Sequence, residues 1–224
     1  MLRAERIVKN FGKLTVLKSI DLEIEKGKIA SIVGASGAGK STLLHILGTL
    51  DKPDQGKVWL GDIELSKLKG SDLASYRNKN IGFIFQFHNL LPEFTALENV
   101  CIPGYLSDKK DDKEIVKRGK ELLELLGLKQ RMEHKPSQLS GGEQQRTAVA
   151  RALMNNPSVV FADEPSGNLD SQTADDLHRL FFRLRDEMNQ TFVIVTHNEE
   201  LANMADEKFE IKDGILFDEA QASS

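Results

Sequence analysis

The sequence predicts an α/β fold built around a mostly parallel sheet. Three apolar runs, IASIV, VVFA and TFVIV, have almost no polar residues and indicate strands buried on both faces. Segments with helical spacing of apolar residues separate these runs, and strands that alternate with helices favour parallel pairing. At 224 residues, the chain has the length of one such domain, with room for an inserted lobe.

The N-terminal part of the chain predicts strands of a second kind. LRAERIVKNF and VLKSIDLEIEKG are strand-like, and in the latter Leu22 and Ile24 alternate with charged residues. That alternation is typical of an antiparallel strand with one face in water. After IASIV, the stretch KSTLLHILGTL has helical spacing up to the loop DKPDQG, and KVWLGDIEL returns to strand character.

Helical patterns dominate the middle of the chain, from about residue 87 to about residue 157. The stretch DDKEIVKRGKELLELLGL is amphipathic, and its charges of both signs predict a solvated helix face. A further helical stretch, TADDLHRLFFRLRDEM, separates the last two buried runs. The final residues, EAQASS, have the composition of a frayed tail.

Composition limits the classes of function that the chain is expected to serve. A formal net charge of −4 gives no reason to expect nucleic-acid binding, and the single cysteine, Cys101, is interpreted as a packing residue. The charged N-terminus lacks the apolar segment of a secretory signal. No window approaches the roughly 18 consecutive apolar residues of a membrane span. Any membrane role is therefore expected to come through a partner.

The stretch GASGAGKS, residues 34–41, matches the P-loop pattern directly after a buried strand and at the start of a helix. Its glycines allow the backbone to wrap an anion, Lys40 would reach the terminal phosphates, and the Ser41 hydroxyl would ligate Mg²⁺. A glycine turn with an incidental lysine is the alternative. The predicted nucleotide contacts are Gly34, Ala35, Ser36, Gly37, Ala38, Gly39, Lys40, Ser41 and Thr42.

Polar residues also end the other two buried strands. Asp163 and Glu164 follow VVFA, and His197 lies two residues beyond TFVIV. Because ligands of α/β sheets lie beyond the carboxyl ends of parallel strands, these groups should converge on one crevice. We expect Asp163 to anchor Mg²⁺, Glu164 to act as general base and His197 to sense the γ-phosphate. The alternatives are a polar turn for the two carboxylates and a structural role for the histidine.

A second glycine-containing helix start occurs in LSGGEQQRTAVARALMNNP. Ser140 and Glu143 form an S-x-x-E capping box, which by itself needs no function. Gly141 and Gly142 in the first turn cost about 1 kcal/mol each, with no packing return that the sequence reveals. Bare N–H groups at a dipole-positive helix end suit a second phosphate site.

Six motifs occur in the order typical of an ATP-binding cassette ATPase, which the chain therefore resembles. They are GASGAGKST, GFIFQ with Gln86, LSGGEQQR, VVFADEP, SGNLD and VTH. The resemblance implies a P-loop NTPase fold of the ABC nucleotide-binding type. Residues 1–86 and 158–218 would form a RecA-like core with an antiparallel β subdomain, residues 87–157 an inserted α-helical subdomain, and residues 219–224 a tail.

The resemblance also assigns roles to individual residues and implies ATP and Mg²⁺ as cofactors. Gln86 would touch Mg²⁺ and the attacking water and link to the helical lobe. Phe11 would stack on adenine, where the family more often has tyrosine, with Val16 nearby; packing of Phe11 in the core is the alternative. In a head-to-tail homodimer, residues 140–143 of one chain would close over the ATP of the other, and Asp170 would lie at the dimer seam.

More narrowly, GFIFQFHNLLPEFTALENVCIP and ADEPSGNLDS resemble the branch that contains lipoprotein-release, macrolide-export and cell-division ATPases. This implies a peripheral subunit at the cytoplasmic face of the inner membrane, serving two separate transmembrane permease subunits. The segment FHNLLPEFTALENV would receive a permease helix. Lipoprotein release, with the cargo handled by the permease, is the preferred function. A macrolide or peptide exporter, a cell-division complex and a non-transport nucleotide-switched clamp are the alternatives.

Overall fold

The computed structural model describes residues 1–107 and 111–218. These residues divide into two compact units: Met1–Ala74 with the chain from Phe182 onward, and Ser75–Phe181. The predicted helical subdomain, 87–157, lies within the second unit and its boundaries remain a prediction. The predicted tail, 219–224, lies outside the described residues.

The secondary structure alternates between strands and helices along most of the chain. The strands are β1 (Leu2–Phe11), β2 (Leu14–Ile24), β3 (Ile29–Val33), β4 (Gln55–Leu60), β5 (Ile63–Glu64), β6 (Ile81–Phe85), β7 (Val159–Asp163), β8 (Thr191–Val195), β9 (Glu207–Lys212) and β10 (Ile215–Asp218). The helices are α1 (Lys40–Leu47), α2 (Gly70–Asn80), α3 (Ala96–Tyr105), α4 (Asp112–Leu125), α5 (Gly141–Ala152), α6 (Ser171–Met188) and α7 (Glu199–Met204). Short 3₁₀ turns cover Leu65–Lys67, Lys129–Arg131 and Pro136–Gln138.

The first unit contains an antiparallel sheet with the strand order β2-β1-β4-β5. As predicted, β2 alternates, and its buried residues include Leu22 and Ile24. The β1–β2 hairpin ends with Phe11 opposite Leu14. This hairpin therefore carries an aromatic ring to the tip of the sheet.

Buried parallel strands form the other layer of the first unit. β3 pairs in parallel with β8 and with β9, while β10 adds to β9 in the antiparallel sense. The apolar runs IASIV and TFVIV are β3 and β8, and all five residues of β8 are buried. Parallel register aligns Ile32 with Val195, so the loops that follow β3 and β8 leave from one edge of the sheet.

In the second unit, β6 and β7 pair in parallel from Ile81 opposite Val159 to Phe85 opposite Asp163. Helix α4 buries four residues of one face and leaves its charged residues outside, which confirms the predicted solvated face. Cys101 on α3 is buried, as interpreted, and burial raises the pKa of its thiol to about 11. Within residues 1–107 and 111–218, no helix combines the length and apolar character required to cross a membrane.

Candidate functional site

The loop from β3 to α1 closes around the side chain of Lys40. Its Nζ donates to the carbonyl oxygens of Gly34 over 2.9 Å and Ala35 over 3.1 Å. The Ala38 amide donates to the Ala35 carbonyl over 3.1 Å, which forms a tight turn within the loop. Gly39 then caps α1 without any side-chain hydrogen bond, so the N-terminal amides of this helix are not used by a capping side chain.

The three glycines of this loop adopt positive φ angles of 143° at Gly34, 79° at Gly37 and 105° at Gly39. A Cβ on Gly34 would lie 2.2 Å from the Ile211 carbonyl oxygen, and one on Gly39 would lie 2.8 Å from the Leu17 side chain. A Cβ on Gly37 would have no atom within 4 Å, so this position is constrained by its backbone alone. The three glycines thus leave the backbone open along part of the loop, as in cradles that an anion can approach.

Two further predicted residues of the first unit lie on the β1–β2 hairpin. Val16 packs on the end of the loop, where its Cγ1 would be 3.2 Å from a Cβ on Gly39. Phe11 is 54% exposed, with the Lys9 ammonium 5.3 Å from the ring centroid. The alternative of a core-packed Phe11 is therefore wrong. Its ring is accessible for stacking.

His197 lies at the edge of the sheet from which the loop 34–39 also leaves. It is exposed and follows Thr196, whose amide donates to the Ile32 carbonyl over 3.2 Å. Asn198 then starts α7, since its side chain accepts a hydrogen bond from the Leu201 amide and caps this helix. The first unit therefore brings the glycine loop and His197 to one edge.

The second unit brings three other predicted residues to the ends of paired strands. Asp163 is the last residue of β7 and lies opposite Phe85, so Gln86 and Glu164 follow their strands at the same sheet edge. Glu164 has a φ of 47°, in the left-handed region that a residue with a Cβ rarely adopts. A turn follows, in which the Gly167 amide donates to the Glu164 carbonyl over 3.0 Å.

The capping box at the start of α5 is confirmed. The Ser140 hydroxyl accepts from the Glu143 amide over 3.2 Å, and the Glu143 carboxylate accepts from the Ser140 amide over 2.8 Å. The other oxygen of Glu143 accepts from Arg131 Nε over 2.8 Å, and this bond is the main reason that the pKa of Glu143 lies below its usual value. The carboxylate of Glu143 is thus already engaged within its own chain.

One expectation about the glycines of α5 is wrong. A Cβ on Gly142 would lie 2.5 Å from Thr173 Cγ2, so this glycine does have a packing reason, which is the close approach of α6. A Cβ on Gly141 would meet only Leu169, at an ordinary 3.5 Å. Of these two glycines, Gly141 alone has no close packing neighbour that would require a glycine.

Asp170 caps α6. Its carboxylate accepts from the Thr173 amide over 3.0 Å and from the Thr173 hydroxyl over 2.7 Å. The hydroxyl contributes most to lowering the pKa of Asp170. Because Leu169 and Thr173, on either side of the cap, pack against the first turn of α5, the start of α6 and the residues 140–143 form one surface.

The loop that follows Gln86 exposes apolar side chains although buried polar groups hold its backbone. Phe87 is 73% exposed, and Leu91 and Phe94 are exposed as well. The guanidinium of Arg151 donates to the carbonyls of His88 and Asn89 over 2.7 and 2.6 Å, and both of these residues have positive φ. The segment predicted to receive a permease helix therefore presents the apolar side chains of Phe87, Leu91 and Phe94 to solvent.

Several residues that organise these segments were not found from the sequence. Gln145, His178, Asn168 and Arg151 were all missed, and each forms a long-range hydrogen bond that only the folded chain reveals. For Gln145 a signal existed, because it lies three and four residues before Ala148 and Val149, at the spacing of the buried helix face. A polar residue on the apolar face of a helix usually has a hydrogen-bond partner in the core.

Comparison with known proteins adds independent findings. The family described as ABC transporter matches residues 17–167. The chain is 58% identical to the lipoprotein-releasing system ATP-binding protein LolD of Cytophaga hutchinsonii, with 96% of this chain and 98% of that protein covered. It is 48% identical to the protein of the same name from Acinetobacter baylyi, with 97% of each chain covered.

A solved structure resembles the whole chain as well. It is a dimeric post-hydrolysis state of the ATP-binding cassette MJ0796 bound to ADP and Pi, with a TM-score of 0.87 and 40% identity over 96% of both chains. A second dimeric structure of MJ0796, described as a bacterial ABC transporter cassette, gives the same values. These similarities confirm the α/β fold of the ABC cassette type.

Proposed function

Because the chain belongs to the ABC transporter family, we propose that it is the ATP-hydrolysing subunit of a complex that releases lipoproteins from the inner membrane. The observation that carries this proposal is the similarity to lipoprotein-releasing ATP-binding proteins along almost the full length of both chains. The 58% identity extends over 96% of this chain, a range that includes the surface that would contact a membrane partner.

ATP binding is supported by the glycine loop of the first unit. Nine consecutive residues, Gly34–Thr42, supply backbone amides at the start of α1, where the helix dipole favours an anion. Lys40, now bonded to two carbonyls of the loop, would exchange these partners for the terminal phosphates. Phe11 offers an exposed ring to adenine, and Val16 lies beside the loop.

The donor set also fits Mg²⁺. The Ser41 hydroxyl, the Gln86 amide oxygen and the Asp163 carboxylate are hard oxygen ligands, and Mg²⁺ typically takes one or two carboxylates and fills its shell with phosphate and water. Among the described residues, no cluster of three or more His, Cys, Asp or Glu side chains forms a metal cage. When bound, Mg²⁺ would neutralise charge on the β- and γ-phosphates.

The chemical step is assigned to side chains at the strand ends. Glu164 accepts a proton from the water that attacks the γ-phosphorus, the bond to the β-phosphate oxygen breaks, and ADP and phosphate result. His197, at the edge that carries the glycine loop, contacts the γ-phosphate. Gln86 orients the attacking water.

The assembly proposed is a homodimer bound to two permease subunits at the cytoplasmic face of the membrane. Solved relatives are dimeric, and the signature residues Ser140, Gly141, Gly142 and Glu143, with Asp170 close by, form one surface that would meet the ATP of the second copy. The exposed side chains of Phe87, Leu91 and Phe94 would receive the permease. The permease, in turn, handles the lipoprotein.

The test is reconstitution of the purified chain with its co-purified membrane partner in liposomes that carry a labelled lipoprotein. We expect release of the lipoprotein to depend on ATP, with the Glu164→Gln complex as the inactive control. A partner that pairs with an outer-membrane channel, or ATP hydrolysis without release of lipoprotein, would overturn the proposed cargo. A chain found on ribosomes without a membrane partner would overturn the transport role.

A further inference from the structure

Two buried polar side chains hold the turn that follows Glu164. Gln145 on α5 is 0% exposed, and its Nε2 donates to the Pro165 carbonyl oxygen over 2.6 Å. His178 on α6 is 3% exposed, and its Nε2 lies 3.0 Å from the Ser166 hydroxyl. Because a carbonyl oxygen can only accept a hydrogen bond, the orientation of the Gln145 amide is fixed.

The backbone at this turn needs such support. Glu164 has a φ of 47°, in the left-handed region that a residue with a Cβ rarely adopts. A residue in a sparsely populated backbone region keeps that conformation only where its surroundings enforce it. The hydrogen bond from the Gly167 amide closes the turn, but the bonds at Pro165 and Ser166 tie it to two helices.

The oxygen of the Gln145 amide differs from its NH2 group. Its Oε1 is buried and has no hydrogen-bond partner among the described residues. An apolar side chain of the same size would avoid that unpaired oxygen, so packing alone does not account for glutamine here. What glutamine alone supplies is the donor to Pro165.

We infer that Gln145 and His178 are positioning residues that set where the Glu164 carboxylate points, an inference that rests on the proposed role of Glu164 as base. Gln145 lies on the same helix as the residues 140–143, which are proposed to contact the ATP of the second copy. Helix α5 therefore joins that contact to the Glu164 of its own chain, and so couples the two ATP sites of the dimer.

The first test compares Gln145→Met, which removes the donor and the unpaired oxygen at constant size, with Thr147→Val. Thr147 is also buried on α5, but its hydroxyl donates to the Glu143 carbonyl of the same helix and not to the turn after Glu164. We expect Gln145→Met to lower kcat at least about tenfold while the KM for ATP changes less than about twofold, and Thr147→Val to leave both unchanged. Equal effects of the two substitutions on kcat would overturn the inference.

A substitution outside the core keeps the inference testable if Gln145→Met folds poorly. Ser166→Ala removes the hydroxyl that contacts His178 Nε2 from a half-exposed turn without altering either helix. We expect it to lower kcat about threefold to tenfold at unchanged KM, because one of the two side-chain anchors remains. An unchanged kcat for Ser166→Ala would remove His178 from the proposal.

Mixed dimers then show whether Gln145 affects the Glu164 of its own chain or, through residues 140–143, the ATP of the second copy. In a dimer with Glu164→Gln in one copy, the hydrolysis that remains comes from the site that keeps Glu164, and its rate is the reference. Adding Gln145→Met to the copy with the intact Glu164 should lower this rate at least about tenfold, and adding it to the other copy should leave it unchanged. The reverse pattern would show action across the dimer. Hydrolysis by the Glu164→Gln homodimer at close to the wild-type rate would instead refute Glu164 as base.

Discussion

Gln86 and Asn168 hold each other through two hydrogen bonds. Gln86 Nε2 donates to Asn168 Oδ1 over 3.1 Å, and Asn168 Nδ2 donates to the Gln86 carbonyl oxygen over 3.2 Å. Gly167 makes room for this pair, since a Cβ there would lie 2.9 Å from Gln86 Nε2. The side chain proposed to orient the attacking water is therefore itself oriented by the turn that carries Glu164.

Asn168→Ala tests whether this pair matters for turnover. It removes both hydrogen bonds, each of ~1 kcal/mol, and we expect kcat to fall roughly tenfold because Gln86 loses its orientation. Asn168→Asp is the matched control, since it keeps the acceptor for Gln86 Nε2 and should lose clearly less. Steady-state ATP hydrolysis measures both. Equal rates for the two variants would show that the pair does not set the position of Gln86.

The strands and helices could be predicted because their causes are local. A parallel strand buried on both faces has few polar side chains, which identified β3 and β8 with their observed bounds. The start of α5 was predictable because a capping box is a four-residue pattern. The glycine loop 34–39 was predictable for the same reason, since its pattern and its context lie side by side in the chain.

The features that could not be predicted depend on contacts between distant residues. Gly142 must lack a side chain so that Thr173 can approach it, but Thr173 lies 31 residues further along the chain. The local sequence around Gly142 does not indicate this contact. Nor does the sequence show that Glu164 adopts a positive φ, because that conformation is enforced by side chains of α5 and α6. Local propensity and pattern do not contain this information.

Lys40→Ala should weaken nucleotide binding. The substitution removes the cation proposed for the terminal phosphates and also the two hydrogen bonds that close the loop on Gly34 and Ala35. We expect the Kd for ATP, measured by titration calorimetry, to rise at least about tenfold, which is about 1.4 kcal/mol. Lys67→Ala is the control, because Lys67 is exposed in the same unit and its ion pair among the described residues is with Glu64. An unchanged Kd for Lys40→Ala would contradict the assignment of the loop.

Glu164→Gln should separate binding from hydrolysis. The amide keeps the shape of the side chain at the end of β7 but cannot take the proton from water, so we expect kcat to fall by about 10² to 10⁴ while ATP still binds. With ATP the variant should elute from a sizing column as a stable dimer, and with ADP as a monomer. The exposed Glu187→Gln on α6 is the control and should hydrolyse ATP normally. Near-normal turnover by Glu164→Gln would remove Glu164 as base.

Glu143→Gln should show a loss of stability that depends on pH. Glutamine can still form the capping box with Ser140, so the substitution removes the charge and the acceptor oxygen that pair with Arg131. The folded-state pKa of Glu143 is lowered below 4.5, chiefly by the Arg131 hydrogen bond. The contribution of the carboxylate is therefore present above its unfolded pKa and is lost as the pH falls through the folded value.

We accordingly expect Glu143→Gln to lower the free energy of unfolding at pH 7 by under about 1 kcal/mol, because Arg131 is partly exposed and the pair is screened by solvent. In urea titrations at acid pH, below the folded pKa, the difference from the wild type should vanish. Arg131→Gln should give the same pH dependence, and the double variant should add nothing to either single one. A difference that persists unchanged in acid would place the loss in the cap of α5 rather than in the ion pair.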